Sequence, residues 1–168
     1  MKLIHMLLHP VRRVLPAVLL IFGSTLLAQA KQEANFTAHL SGANEVPAAD
    51  TRAQGQAIFN LSLDGNSLRY RLIVANIENV RMSHLHLAPA GQNGGVVVWL
   101  YPEGPPPVTI EGRVDGVLAI GTITADDLVG ALAGMSLDEL IGQMLDGNIY
   151  VNVHTDQFPG GEIRGQVE

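Results

Sequence analysis

The sequence predicts an all-β fold, a Greek-key β-sandwich or barrel with short helical insertions, and three observations point to it. Apolar residues recur at every second position in one run after another. Clusters of Gly, Pro, Asn and Asp punctuate those runs at short intervals, and helical spacing is confined to two brief stretches between residues 124 and 147. About seven strands result, the number expected of a sandwich.

The first thirty residues stand apart from that pattern. Lys2, Arg12 and Arg13 make a basic start with no acidic residue, the apolar run Val14 to Leu27 follows, and Ala28-Gln29-Ala30 has the small-x-small form of a signal-peptidase site. The run falls short of the roughly 20 apolar residues a spanning helix needs, and Pro16 and Gly23 interrupt it. Residues 1–30 are therefore expected to be a signal peptide and residues 31–168 a single exported domain, periplasmic or secreted, with no stable membrane span after cleavage. An uncleaved anchor is the alternative. His5 and His9 leave the fold argument with the leader.

Residues 31–168 keep all 16 acidic residues and seven of the ten basic ones, a net charge near −9. Such acidity argues against nucleic acid or an anionic membrane surface as partner. The chain has no cysteine, which removes disulfides, thiolate metal sites and thiol nucleophiles.

The elements follow in order. Asn35 to Leu40 alternates, and Ser41 to Pro47 is a turn-rich loop in which Glu45 offers a carboxylate near the strand ends. Gly55 to Leu63 places Ala57, Phe59, Leu61 and Leu63 on one face. Asp64-Gly65-Asn66 signals a hairpin into Leu68, Tyr70, Leu72 and Val74, with Arg69 and Arg71 on the wet face. A strand through His84-Leu85-His86 comes next. The glycine-rich turn Pro89 to Gly95 leads into Val96 to Leu100, and the Pro102–Pro107 loop ends that strand because proline cannot sit inside a sheet. Trp99 and Tyr101 beside this loop belong either to the core or to an aromatic patch for a partner. Gly112 to Ile123 reads as a strand, or as a hairpin through Asp115-Gly116. Thr124 is placed to cap a first helical piece. Ser136-Leu137-Asp138-Glu139 reads as a capping box for a second, with Gly147 suited to end it. Asn148 to Thr155 and Glu162 to Val167 close the domain as a hairpin.

That hairpin carries the chemistry. Pairing about Phe158 sets His154 opposite Glu162, Asn152 opposite Arg164 and Tyr150 opposite Gln166, one polar strip, while Ile149, Val151, Val153, Ile163 and Val167 face the core. His84 and His86 share a face of their own strand. Three imidazoles without a thiolate suit copper(II) or zinc(II) better than magnesium or calcium. As metal ligands the candidates are His84, His86 and His154, with Glu162 a fourth oxygen ligand or the acceptor that fixes a ring. The same residues, hydrogen-bonded to one another, also make a structural patch that needs no metal. His39 has no partner histidine nearby. The glycine clusters lack a phosphate-cradling pattern, and no nucleophile elbow is present, so no catalytic residue is assigned.

Several motifs together are recognisable: Phe36-x-Ala38-x-Leu40-Ser41-Gly42-Ala43-Asn44-Glu45-Val46-Pro47, His84-x-His86-x-x-x-Ala90-Gly91-x-Asn93-Gly94, and Gly147-x-x-Tyr150-Val151-Asn152-Val153-His154-Thr155 with Pro159-Gly160-Gly161-Glu162-Ile163-Arg164-Gly165. From Phe36 to Val167 the chain closely resembles the chordin-type (CHRD) domain, which implies an extracytoplasmic β domain without a defined activity. In element order it also resembles copper–zinc superoxide dismutase, where a His-x-His strand and a later histidine hold copper and a late arginine guides the anion. That resemblance would make His84, His86 and His154 copper ligands and Arg164 the guide. The missing cysteine pair, zinc loop and bridging histidine speak against a zinc subsite. Three functions follow as expectations: a non-catalytic exported module with a protein or matrix partner, with or without a bound copper or zinc ion; a copper-dependent redox enzyme; a periplasmic metal-binding protein without turnover.

Overall fold

The computed structural model describes residues 35–168, so the signal-peptide reading of residues 1–30 lies outside the described residues. Seven strands and one α-helix make up the domain: β1 (Asn35–Ser41), β2 (Gln54–Leu61), β3 (Leu68–Leu87), β4 (Gly95–Tyr101), β5 (Ile110–Ile123), α1 (Leu137–Leu145), β6 (Ile149–Thr155) and β7 (Ile163–Gln166). The strand order is β2-β1-β7-β6-β3-β4, with β5 also on β3 and β2 pairing β3 as well. The sheet thus closes on itself through β3, which gives the all-β barrel-like sandwich the alternation predicts.

The long β3 is what makes closure possible. The sequence shows two apolar runs, one through Leu68–Val74 and one at the histidines; the structure joins them in a single 20-residue strand. Its first half pairs with β2 and β5, its second half with β6 and β4. Between the halves, Asn76 (φ 57°) and Asn79 (φ 51°) take left-handed backbone, which asparagine tolerates because its short amide bonds locally. The bend is tied to β5: Asp115 accepts from the Asn76 N–H at 2.7 Å, and Asn79 Oδ1 accepts from the Gly112 N–H at 2.8 Å. One strand therefore serves both halves of the sandwich.

Alternation sorts the side chains as expected. Leu68, Tyr70, Leu72 and Val74 are buried with Ala57 and Phe59 of β2, while Arg69 and Arg71 are exposed. Leu85, Ile149, Val151, Val153, Ile163 and Val167 enter the same core. The helix α1 closes it with Leu137, Leu140, Ile141 and Met144, one face of an amphipathic turn pattern.

Three local readings differ from the structure. Leu63 is 85% exposed, because β2 ends at Leu61 where the Ser62–Ser67 hairpin turn begins. Asp115-Gly116 is no hairpin; β5 passes through it with a register shift against β3 and stays one strand. Ser136 makes no side-chain cap bond to α1, whereas the Thr124–Asp127 capping box does form, on a short 3₁₀ turn.

Candidate metal centre

The predicted hairpin register is observed: Tyr150 pairs with Gln166, Asn152 with Arg164 and Val153 with Ile163. On the other side of β6, β3 places Met82 opposite His154, His84 opposite Asn152 and His86 opposite Tyr150. One row across the sheet is then Trp99–His84–Asn152–Arg164, and the next is Val96–His86–Tyr150–Gln166. Alternation puts this polar face opposite the core face that holds Leu85, Val151, Val153 and Ile163.

His84, His86 and His154 converge there, one ring nitrogen of each lying within 4.8 Å of the others. All three are buried, at 2%, 7% and 6% exposure. His86 Nδ1 lies 3.0 Å from the Gly94 carbonyl, and His154 Nδ1 lies 3.0 Å from the Pro159 carbonyl. A carbonyl only accepts, so both rings carry their proton on Nδ1 and present the Nε2 lone pair to the cluster. His154 Nε2 is 3.3 Å from His84 Nδ1. Nitrogens sharing a tetrahedral metal at bonds of about 2.0–2.1 Å are roughly 3.3–3.4 Å apart, so this edge already has the right length. His84 Nε2 and His86 Nε2 are buried with no hydrogen-bond partner.

Electrostatics keep the rings neutral. Burial pushes His84 down to about 3, helped by the neighbouring imidazoles His154 and His86. Burial also lowers His86, to about 4, against the opposing Gly94 carbonyl and with smaller pushes from His154 and Arg164. His154 is lowered by burial, opposed by Pro159 and aided by Arg164. Neutral imidazole is the form that ligates a metal.

Aromatic rings wall the cluster. Trp99 meets His84 edge-on at 4.3 Å between centroids, and His86 stacks on Tyr150 at 4.9 Å with planes 9° apart. The acceptor loop depends on Gly94, since a Cβ there would stand 2.0 Å from the Leu87 carbonyl oxygen. Only glycine lets the 89–94 turn lie close enough to offer its carbonyl to His86.

The other predicted site residues are placed nearby, with different partners. Glu162 does not serve the His154 ring; it accepts from Thr51 Oγ1 at 2.6 Å and Thr155 Oγ1 at 2.7 Å, and the Pro159 carbonyl takes the ring proton instead. Strand pairing ends at Ile163, so Glu162 can turn toward the 46–53 loop. Arg164 is 4% exposed and is engaged throughout: Nε and Nη2 reach Glu45 Oε2 at 3.1 and 3.0 Å, Nη1 donates to the Gln92 carbonyl at 3.0 Å, and Nη2 donates to Asn93 Oδ1. Its guanidinium lies 4.3 Å above the Tyr150 ring. Burial raises the Glu45 carboxyl, with Arg164 pulling the other way. Arg164 thus clamps two covering loops to the sheet. Asn152 is buried between His84 and Arg164, and His39 is exposed on β1.

Sequence reasoning missed Glu45 as the partner of Arg164, 119 residues away, and missed both carbonyl acceptors. It also passed over Met82, although Met82-x-His84-x-His86 has the same alternation as the histidines.

Together these features define a small antiparallel β domain with a buried, imidazole-rich polar face. The chain belongs to the CHRD-domain family, whose model matches residues 36–167. No curated protein and no solved structure gives a match. Among the described residues no helix is long and apolar enough to cross a membrane.

Proposed function

We propose that this CHRD domain is an exported, non-catalytic module, periplasmic or secreted, that holds one transition-metal ion, copper or zinc, on His84, His86 and His154. The carrying observation is the buried, unpartnered His86 Nε2 on a ring that converges with His84 and His154, whose Nδ1 and Nε2 already lie 3.3 Å apart. A purely hydrogen-bonded patch would leave the His86 Nε2 lone pair unsatisfied, and such a group is costly to bury. A bound cation would take up that lone pair together with His154 Nε2 and, once its proton is displaced, His84 Nδ1. The Gly94 and Pro159 carbonyls are the outer partners that orient ligating rings. Family membership supports a module without turnover, and the basic, apolar, small-x-small leader supports export. Arg164 argues against superoxide dismutation, because a guanidinium buried and bonded to Glu45, Gln92 and Asn93 has little field left to steer an anion. An extracellular protein or matrix component is the partner class that suits such a module.

The test is metal titration of untagged residues 31–168, followed by calorimetry and metal analysis after dialysis. One copper or zinc per chain is expected, with affinity lost in His86→Ala and in His154→Ala. Sub-stoichiometric metal in the wild type, or unchanged binding in both variants, overturns the proposal.

A further inference from the structure

We infer that Met82 is a fourth, thioether ligand of the histidine centre, and that the site is selective for copper, holding copper(I) as well as copper(II). This rests on the metal reading of the three histidines and adds a residue and a metal preference to it.

The register carries the inference. Met82 is the direct cross-strand partner of His154, and His84 and His86 follow it at alternate positions of β3. From Met82 to His86 the pairing with β6 runs without a shift, the irregularity lying before Met82. Met82 therefore projects from the same face as the three imidazoles. Directly opposed residues have Cβ atoms about 4.5–5.5 Å apart, and a methionine has three rotatable bonds with which to turn its sulfur inward. Met82 is half-buried and does not belong to the hydrophobic core on the other face.

The chemistry sets the metal. Thioether sulfur is a soft ligand that favours copper(I), while zinc gains little from it over a fourth imidazole or water. Three neutral imidazoles plus a thioether leave no anionic ligand, which suits a monovalent ion in a buried place. The sequence also makes the sulfur traceable. It has no cysteine, and the only methionines beyond residue 30 are Met82, Met135 and Met144. Met144 is packed in the core by α1, and Met135 is 47% exposed.

The decisive comparison is Met82→Leu against wild type, a swap that keeps apolar volume. Copper(I) affinity is read by competition with bicinchoninate and zinc(II) affinity by competition with a chromophoric chelator. The expected result is a loss of at least about tenfold for copper(I), with zinc(II) changed by less than about threefold. X-ray absorption at the copper edge is expected to show one sulfur scatterer in wild type and none in the variant. Copper(I) binding that is unchanged in Met82→Leu, equal losses for both metals, or a sulfur-free shell in wild type overturns the inference while leaving the three-histidine site standing. A wild-type protein that binds neither metal overturns both.

Discussion

Burial of three neutral imidazoles makes the metal-free domain sensitive to mild acid, by an amount the structure sets. An ordinary histidine near 6.5 titrates in the unfolded chain, whereas His84 is held down to about 3 and His86 to about 4 in the fold. Between those values the unfolded state binds more protons, so stability is fully present above pH 6.5 and is lost as pH falls toward the folded values. At pH 5 an imidazole of ordinary value 6.5 that stays neutral when folded costs about 2 kcal/mol relative to neutral pH. His84 and His86 together cost about 4 kcal/mol, a large part of the 5–15 kcal/mol typical of a domain. His154 is lowered too and adds in the same direction. Urea unfolding of metal-free protein at about pH 7.5 and pH 5, followed by circular dichroism, measures the difference. His84→Gln with His86→Gln should flatten the dependence. A wild-type loss below about 1 kcal/mol, or a slope unchanged in the double variant, would show that the rings are solvated and the argument from burial wrong.

Other outcomes follow from the same contacts. Trp99 is the sole tryptophan and touches His84, so copper(II) should quench the protein's fluorescence stoichiometrically while redox-silent zinc(II) leaves most of it. Arg164→Leu strands the Glu45 carboxylate, 6% exposed, and should cost about 3–5 kcal/mol by denaturant unfolding. Glu162→Gln should lower stability by about 1–3 kcal/mol through the Thr51 and Thr155 bonds, yet leave metal affinity within about twofold in the same titration. Gly94→Ala should weaken metal binding as well as stability, because the added Cβ collides with the Leu87 carbonyl and moves the acceptor of His86.

Much of this domain was legible in the sequence, and the reason is periodicity. Side chains on a strand alternate, so Leu68 to Val74 and Ile149 to Val153 announce both their strands and their buried faces. The Asp64-Gly65-Asn66 turn sets one register and the Phe158 turn another, which is why Asn152 could be matched to Arg164 in advance. The same periodicity put His84 and His86 on one side of β3. What it could not supply was the approach of distant segments. His84 and His154 are 70 residues apart, and only the pairing of β6 with the second half of β3 brings their rings together. The partners of the rings were equally hidden. Every residue carries a carbonyl, so nothing in the sequence marks those of Gly94 and Pro159 as the ones that receive a histidine proton. The carboxylate assigned to that role, Glu162, turns to two threonines because pairing stops one residue after it. Local pattern determined the strands, their faces and the identity of the candidate ligands; tertiary closure decided which of them meet and in which protonation state.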